Sequence, residues 1–258
     1  MKTTFVIITV AERVTDLNKL LLSIKARPRF DEIEVNILYQ GPSETVPYIQ
    51  HRDRITNLFV YPNRLGCHGA RVELLKRINY EAYINLDDDM ELTEHTYYKQ
   101  ALAKAAEPST GFVLTNWARN RKLMNAKIPK MQDKFVKQAL VYQGGGMVYT
   151  NKVADLMRAL PPVPLTFDTI WPLTAYINGF TNYRFLGSLA VHHVCTRGGM
   201  NTFMQNNPPQ TIMEEYVTYR KAKRINGTGM DLLIPMDSDL TPKAKEAHLK
   251  ARIIKFGR

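Results

Sequence analysis

The sequence predicts an α/β protein in which a mostly parallel, Rossmann-like sheet is flanked by helices. Three observations carry that expectation. Residues 4–10 (Thr-Phe-Val-Ile-Ile-Thr-Val) form an unbroken, largely β-branched run, the composition of a strand buried on both faces. Strand-like runs then alternate with helical or irregular crossovers through the first 90 residues, the pattern that builds parallel pairs. One of those strands, Tyr83-Ile84-Asn85-Leu86, runs directly into Asp87, Asp88 and Asp89, and ligands of open α/β sheets bind beyond the carboxyl ends of such strands.

After the first strand, Thr15 or Asp16 is placed to cap a helix whose Leu17, Leu20, Leu21 and Ile24 recur at helical spacing until Pro28 ends it. Residues 34–39 read as a second strand closed by Gly41-Pro42, and residues 58–61 as a short third strand. A helix is expected over residues 69–79, with Val72, Leu75 and Ile78 on one face, before the fourth strand delivers the aspartates. Beyond them the spacing predicts a helix over 93–106 and a strand over 112–116. Gly144-Gly145-Gly146 then leads a short strand; three glycines let backbone approach a ligand closely, or else make a bulge or turn. Pro161-Pro162-Val163-Pro164 is a rigid connector, Phe167-Asp168 opens a helix that ends near Gly179, residues 183–193 return to the sheet, and a last helix is expected over 211–223. A single domain over residues 1–225 followed by a basic tail, 226–258, is the simplest division.

Clustered carboxylates at the end of a buried strand repel one another, and a hard divalent cation, Mg²⁺ or Mn²⁺, relieves that repulsion. The plainer alternative is an acidic turn that caps the next helix, a position Asp and Thr93 both suit.

The chain has 258 residues, 45% of them hydrophobic and 23% charged, an ordinary globular composition. The apolar run near its start is too short for a signal h-region or a membrane span, so no transmembrane segment is expected. Cys67 and Cys195 define neither a disulfide framework nor zinc spacing, which points to a reducing, cytoplasmic setting. Thirty-five Lys and Arg against 24 Asp and Glu leave a net charge of +11, a balance suited to polyanions or anionic membrane surfaces. The excess gathers in two places. Arg119, Arg121, Lys122, Lys127, Lys130, Lys134 and Lys137 face Asp133 alone, and six basic residues between Lys243 and Arg258 face Glu246. Either cluster by itself reads equally well as a solvated helix face.

The order of these residues resembles the GT-A fold glycosyltransferases of the family 2 type. The corresponding elements are Thr9-Val10-Ala11-Glu12-Arg13 in the nucleotide-binding turn, Asn63-Arg64-Leu65-Gly66 before a helix, Asp87-Asp88-Asp89 as the Asp-x-Asp element, Phe167-Asp168 at a helix start, and His192-His193 near the end of the catalytic domain. The first turn departs from the family in lacking an Asn before Glu12, and Gln40 stands where relatives hold the base with an Asp. The resemblance implies a nucleotide-sugar donor, most simply a UDP-sugar, contacted by Thr9, Ala11, Glu12, Arg13, Gln40, Gly66, Arg71, Asp88 and Arg197. It implies a Mn²⁺ or Mg²⁺ ion held by Asp87, Asp89 and His193, with His192 the alternative, and Asp168 as general base of an inverting reaction.

Both basic clusters fall in segments that shape the acceptor side in that family, and Trp117, Phe135, Tyr142 and Phe256 lie in or beside them. Phosphate-binding charge plus stacking rings suits a nucleic acid with an unstacked base, and the expected acceptor is a hydroxymethylated base in DNA. The alternatives are a surface glycan or lipid-linked sugar, with the tail lying on an anionic membrane, a nucleotidyltransferase, or a non-catalytic nucleic-acid-binding module.

Overall fold

The computed structural model describes residues 1–119, 135–138, 145–160, 171–172, 174–176 and 178–193. Among them a nine-stranded sheet runs through the molecule. Its first half is wholly parallel: β1 (Thr3–Val10) lies between β2 (Glu34–Gln40) and β4 (Ala82–Asp87), and β3 (Asn57–Tyr61) pairs with β2 at the edge. The second half is mixed. β8 (Met147–Thr150) runs antiparallel to both β4 and β6 (Thr110–Arg119), and β6 runs parallel to β9 (Thr181–His192). β9 also carries the two-residue β5 (Met90–Glu91) and β7 (Phe135–Gln138), both antiparallel to it.

Every residue of β1 is buried, and its alternation divides the core in two. Val6 and Ile8 face a cluster with Leu74 and Leu75 of α2 (Gly66–Arg77), Val153 and Met157 of α4 (Asn151–Arg158), and the Tyr83, Tyr149 and Trp171 rings. Phe5 and Ile7 face the opposite cluster with Leu17, Leu20, Leu21 and Ile24 of α1 (Val14–Lys25) and Ala101 and Ala105 of α3 (Lys99–Ala106). A strand with helices on both faces has no solvent-facing side, which is why its sequence does not alternate apolar with charged residues.

Several boundaries move for local reasons. A 3-10 turn, Ala11–Arg13, leads into α1, so Thr15 and Asp16 fall inside the first turn and neither caps it. α2 begins at Gly66, three residues before the expected Gly69, and Gly66 adopts φ +71° at its start, a conformation glycine takes without steric cost. The helix expected from residue 93 begins only at Lys99. Thr93 spends its polar groups on a turn instead: its N–H donates to Thr96 Oγ1 at 2.9 Å and its hydroxyl accepts from the His95 N–H at 3.1 Å, the local competition that keeps threonine out of helices. The helix expected over 211–223, the Pro161 to Pro164 connector and the tail from 226 lie outside the described residues.

Candidate active site

The carboxyl ends of β1 and β4 lie side by side, with Ile8 opposite Asp87 in the register. After Asp87 the chain turns through Asp88 and Asp89 and enters β5, which pairs with the end of β9 so that Met90 faces His192. The His193 N–H donates to Asp89 O at 2.8 Å and closes this ribbon. The acidic triplet therefore does not cap a helix: α3 starts ten residues after Asp89.

Each aspartate has its own environment. Asp87 accepts from Arg71 Nη2 at 2.8 Å, and Arg71, 1% exposed, also donates from Nη1 to Cys67 Sγ at 2.8 Å one helical turn earlier on α2. Gly145 packs on the other side, where an added Cβ would stand 2.9 Å from Asp87 Oδ2. Asp88 is buried beneath β1, accepting from the Thr9 hydroxyl at 2.8 Å and from Arg13 Nη2 at 2.8 Å. Burial raises its carboxyl, and Arg13 offsets this only in part, leaving it at about 7. Asp89 receives Arg13 Nη2 at 2.6 Å on one oxygen and stands 3.1 Å from His192 Nε2 through the other. Burial pushes Asp89 up as well, but the His192 and Arg13 contacts together hold it below its ordinary value. His192 answers in kind: burial lowers it, and the bond to Asp89 together with the charges of Asp89 and Asp87 outweighs burial and raises it.

Three carboxylates thus meet two guanidinium groups, and the remaining negative charge is shared with an imidazole of raised basicity. The repulsion read from the sequence is relieved largely by Arg13 and Arg71. Even so, Asp87, Asp89 and His192 offer one ligand atom each within 4.8 Å of one another. Two hard oxygens, one imidazole nitrogen and a residual negative charge suit Mn²⁺ or Mg²⁺, and Gly145 leaves the Asp87 side of the cluster without a side chain in the way. The residues present fit a divalent cation.

The histidine in this cluster is His192. His193, the residue expected there, turns to the other face of the strand end, where its Nε2 lies 3.0 Å from Glu91 Oε2. Neighbouring residues on a strand point to opposite sides, so only one of the pair can meet the aspartates.

Thr9 and Arg13, expected on the donor, both contact Asp88. Gln40, expected to face the base, is 3% exposed and accepts from the Leu65 N–H at 2.6 Å, fixing the turn before α2. Glu12 pairs with Arg64 on the exposed rim, and Gly66 opens α2 beside them. Ala11 contributes the 3-10 turn. Arg71, expected on the donor, is committed to Asp87 and Cys67. The Cys67 contact had no reading in the sequence, although its i, i+4 spacing to Arg71 on a helix was visible. Asp168 and Arg197 lie outside the described residues.

Several solved structures similar to this one are glycosyltransferases. The protein is similar to S. aureus TarS, residues 1–349, in complex with UDP-GlcNAc, with TM-score 0.61 and 17% identity over 99% of this chain and 73% of that one. It is similar also to GalNAc-T7 with UDP, GalNAc and Mn²⁺, with TM-score 0.66 and 13% identity over 85% of this chain and 48% of that one. The chain has the GT-A fold. A third neighbour, the mannosyltransferase PcManGT from Pyrobaculum calidifontis in complex with GDP-Man and Mn²⁺, gives TM-score 0.57 and 16% identity over 97% of this chain and 68% of that one. No protein-family model and no curated protein matches the sequence, so the likeness is one of fold. Among the described residues no helix is long and apolar enough to cross a membrane.

Proposed function

We propose that the protein is a metal-dependent glycosyltransferase that moves a sugar from a nucleotide-sugar donor, a UDP-sugar, to a hydroxyl of a hydroxymethylated base in DNA. The observation that carries the transferase reading is the convergence of Asp87, Asp89 and His192 at the carboxyl ends of adjoining strands in a GT-A fold. Nucleotide or nucleotide-sugar ligands in the three solved neighbours, with Mn²⁺ in two of them, support the same reading.

Asp87, Asp89 and His192 would hold the cation, which supplies positive charge against the diphosphate that leaves as the glycosidic bond breaks. The chain's own groups do the rest. Arg71 fixes the Asp87 carboxylate from below, and Thr9 with Arg13 fixes Asp88, leaving the acidic turn preorganised before any donor arrives. Asp168 takes the proton of the acceptor hydroxyl as it attacks the anomeric carbon from behind, giving inversion; this role rests on the resemblance at Phe167-Asp168. Arg197 binds the diphosphate. The DNA acceptor rests on charge: the +11 balance, the basic runs at 119–137 and 243–258, and the aromatic residues among them.

The test is incubation of the protein and Mn²⁺ with a panel of sugar nucleotides, with and without hydroxymethylpyrimidine DNA, following nucleoside diphosphate release and DNA mass. DNA that gains a sugar mass supports both parts. Release without a DNA mass change keeps the transferase and removes this acceptor, and no release with any donor removes the enzyme. Asp168→Asn should lower turnover by roughly 10²-fold or more with donor binding intact; near-normal turnover would exclude it as base.

A further inference from the structure

Arg13 sits where a divalent cation would exert its attraction. Its Nη2 bridges Asp88 Oδ1 at 2.8 Å and Asp89 Oδ2 at 2.6 Å, its side chain is 14% exposed, and the second oxygen of Asp89 already faces His192 at 3.1 Å. Asp89, one of the three residues suited to hold the cation, thus has a cationic or potentially cationic group on each oxygen. Arg13 ends the 3-10 turn Ala11–Arg13 that follows β1, so short backbone tethers it to the mouth of the site while its guanidinium points inward.

We infer that Arg13 is a positioning residue that holds the acidic turn in place of the cation, weakens cation binding while the donor is absent, and transfers to the donor's diphosphate when that arrives. The inference rests on the metal-dependent transferase reading. A guanidinium is a planar fork that matches phosphate oxygens as well as it matches carboxylates. The donor's diphosphate carries the same formal charge as the two carboxylates it would draw Arg13 from, on oxygens that suit the guanidinium fork, and once Arg13 moves, Asp89 recovers an oxygen for the cation. Cation and diphosphate then enter together, because each removes what opposes the other; such coupling is reciprocal by linkage. A unit positive charge held a few ångströms from a cation site, at the effective dielectric of a protein, lowers cation affinity by more than about tenfold.

The inference predicts opposite signs from one substitution. Binding of Mn²⁺ alone, and binding of UDP and of GDP in the presence of a chelator, are measured calorimetrically for the wild type, Arg13→Gln and Arg13→Lys. Arg13→Gln should bind Mn²⁺ more tightly by about tenfold or more, and bind the nucleotide more weakly by a similar factor. General damage to the site would weaken both. Arg13→Lys keeps the charge and should stay within about threefold of wild type on both measures. Adding Asp89→Ala to Arg13→Gln should abolish the gain in Mn²⁺ affinity, assigning it to this site. Unchanged or weaker Mn²⁺ binding by Arg13→Gln, with measurable binding by the wild type, overturns the role of Arg13 and leaves the metal site standing. Absence of Mn²⁺ binding in wild type and Arg13→Gln alike overturns the metal reading beneath it.

Discussion

Replacing Arg71 by Met tests whether the acidic turn is held by a buried cation. Met fills much of the same volume and removes the charge together with the guanidinium hydrogen bonds, among them those to Asp87 Oδ1 and to Cys67 Sγ, each 2.8 Å long. Removing one partner of a fully buried pair costs about 3–5 kcal/mol. The Asp87 side chain keeps 26% exposure, so water recovers part of its solvation, and the cost falls to roughly 3 kcal/mol. For a chain of this size that is a fall in Tm of about 6–12 °C. The same substitution makes an opposite prediction once metal is present: a cation on Asp87 supplies the charge that Arg71 supplied, so saturating Mn²⁺ should raise the Tm of Arg71→Met more than that of wild type. Thermal unfolding followed by circular dichroism, with Mn²⁺ and with chelator, reads both effects. A chelated Arg71→Met protein that melts within about 2 °C of wild type would show that the pair contributes nothing net, as many ion pairs do. A Mn²⁺ shift no larger than in wild type would mean that the cation and Arg71 do not share Asp87.

The two histidines should separate cleanly: His192→Ala should weaken Mn²⁺ binding by about tenfold or more in calorimetry, and His193→Ala by less than about threefold, since His193 faces Glu91. Gly145→Ala should lower stability by about 1–3 kcal/mol and weaken Mn²⁺ binding, because the new methyl group meets Met90 Sδ and comes within 2.9 Å of Asp87 Oδ2; wild-type Tm and affinity in that variant would show that the close approach is relaxed at no cost. In the metal-free protein, Asp88 is raised from 3.8 to about 7 by burial, and an acid raised on folding loses stability as pH climbs between those two values. His192, raised above 6.5 by Asp89 against the effect of burial, contributes stability that is full below 6.5 and lost as pH climbs through its folded value. Both act in one direction near neutrality, so chelated Tm should fall from about pH 5.5 to pH 8 while the Mn²⁺-induced rise in Tm grows, since a ligand imidazole must shed its proton. A Mn²⁺ effect that is constant across this range would remove His192 from the ligand set.

The parallel half of the sheet was legible because burial on both faces forces a local signature: no charged residue interrupts residues 4–10, and β1 proves buried at each of its eight positions. The antiparallel returns were not, because β8 is short and its two partners, β4 and β6, are selected by long-range packing around Tyr149 rather than by anything within Met147–Thr150. Thr93 misled for a related reason. A threonine suited to an N-cap reads as a helix start, yet here its N–H and hydroxyl serve a turn that delays α3 to Lys99.

At the site, residue types were legible and their partners were not. Three aspartates after a buried strand announce a charge problem, and the sequence supports a cation as the remedy; it does not say that Arg13, 74 positions before Asp87, and Arg71, 16 positions before it, already supply two charges. The histidine choice was undetermined for a stricter reason. His192 and His193 necessarily point to opposite sides, and which side meets Asp89 depends on the register in which two residues of β5 pair with β9. That register is anchored by the His193 N–H on Asp89 O, so the residue that does not face the aspartates through its side chain is the one whose backbone fixes its neighbour upon them. A His193→Pro substitution, which removes that N–H, should therefore weaken Mn²⁺ binding far more than His193→Ala, and equal effects of the two would break the link between register and metal site.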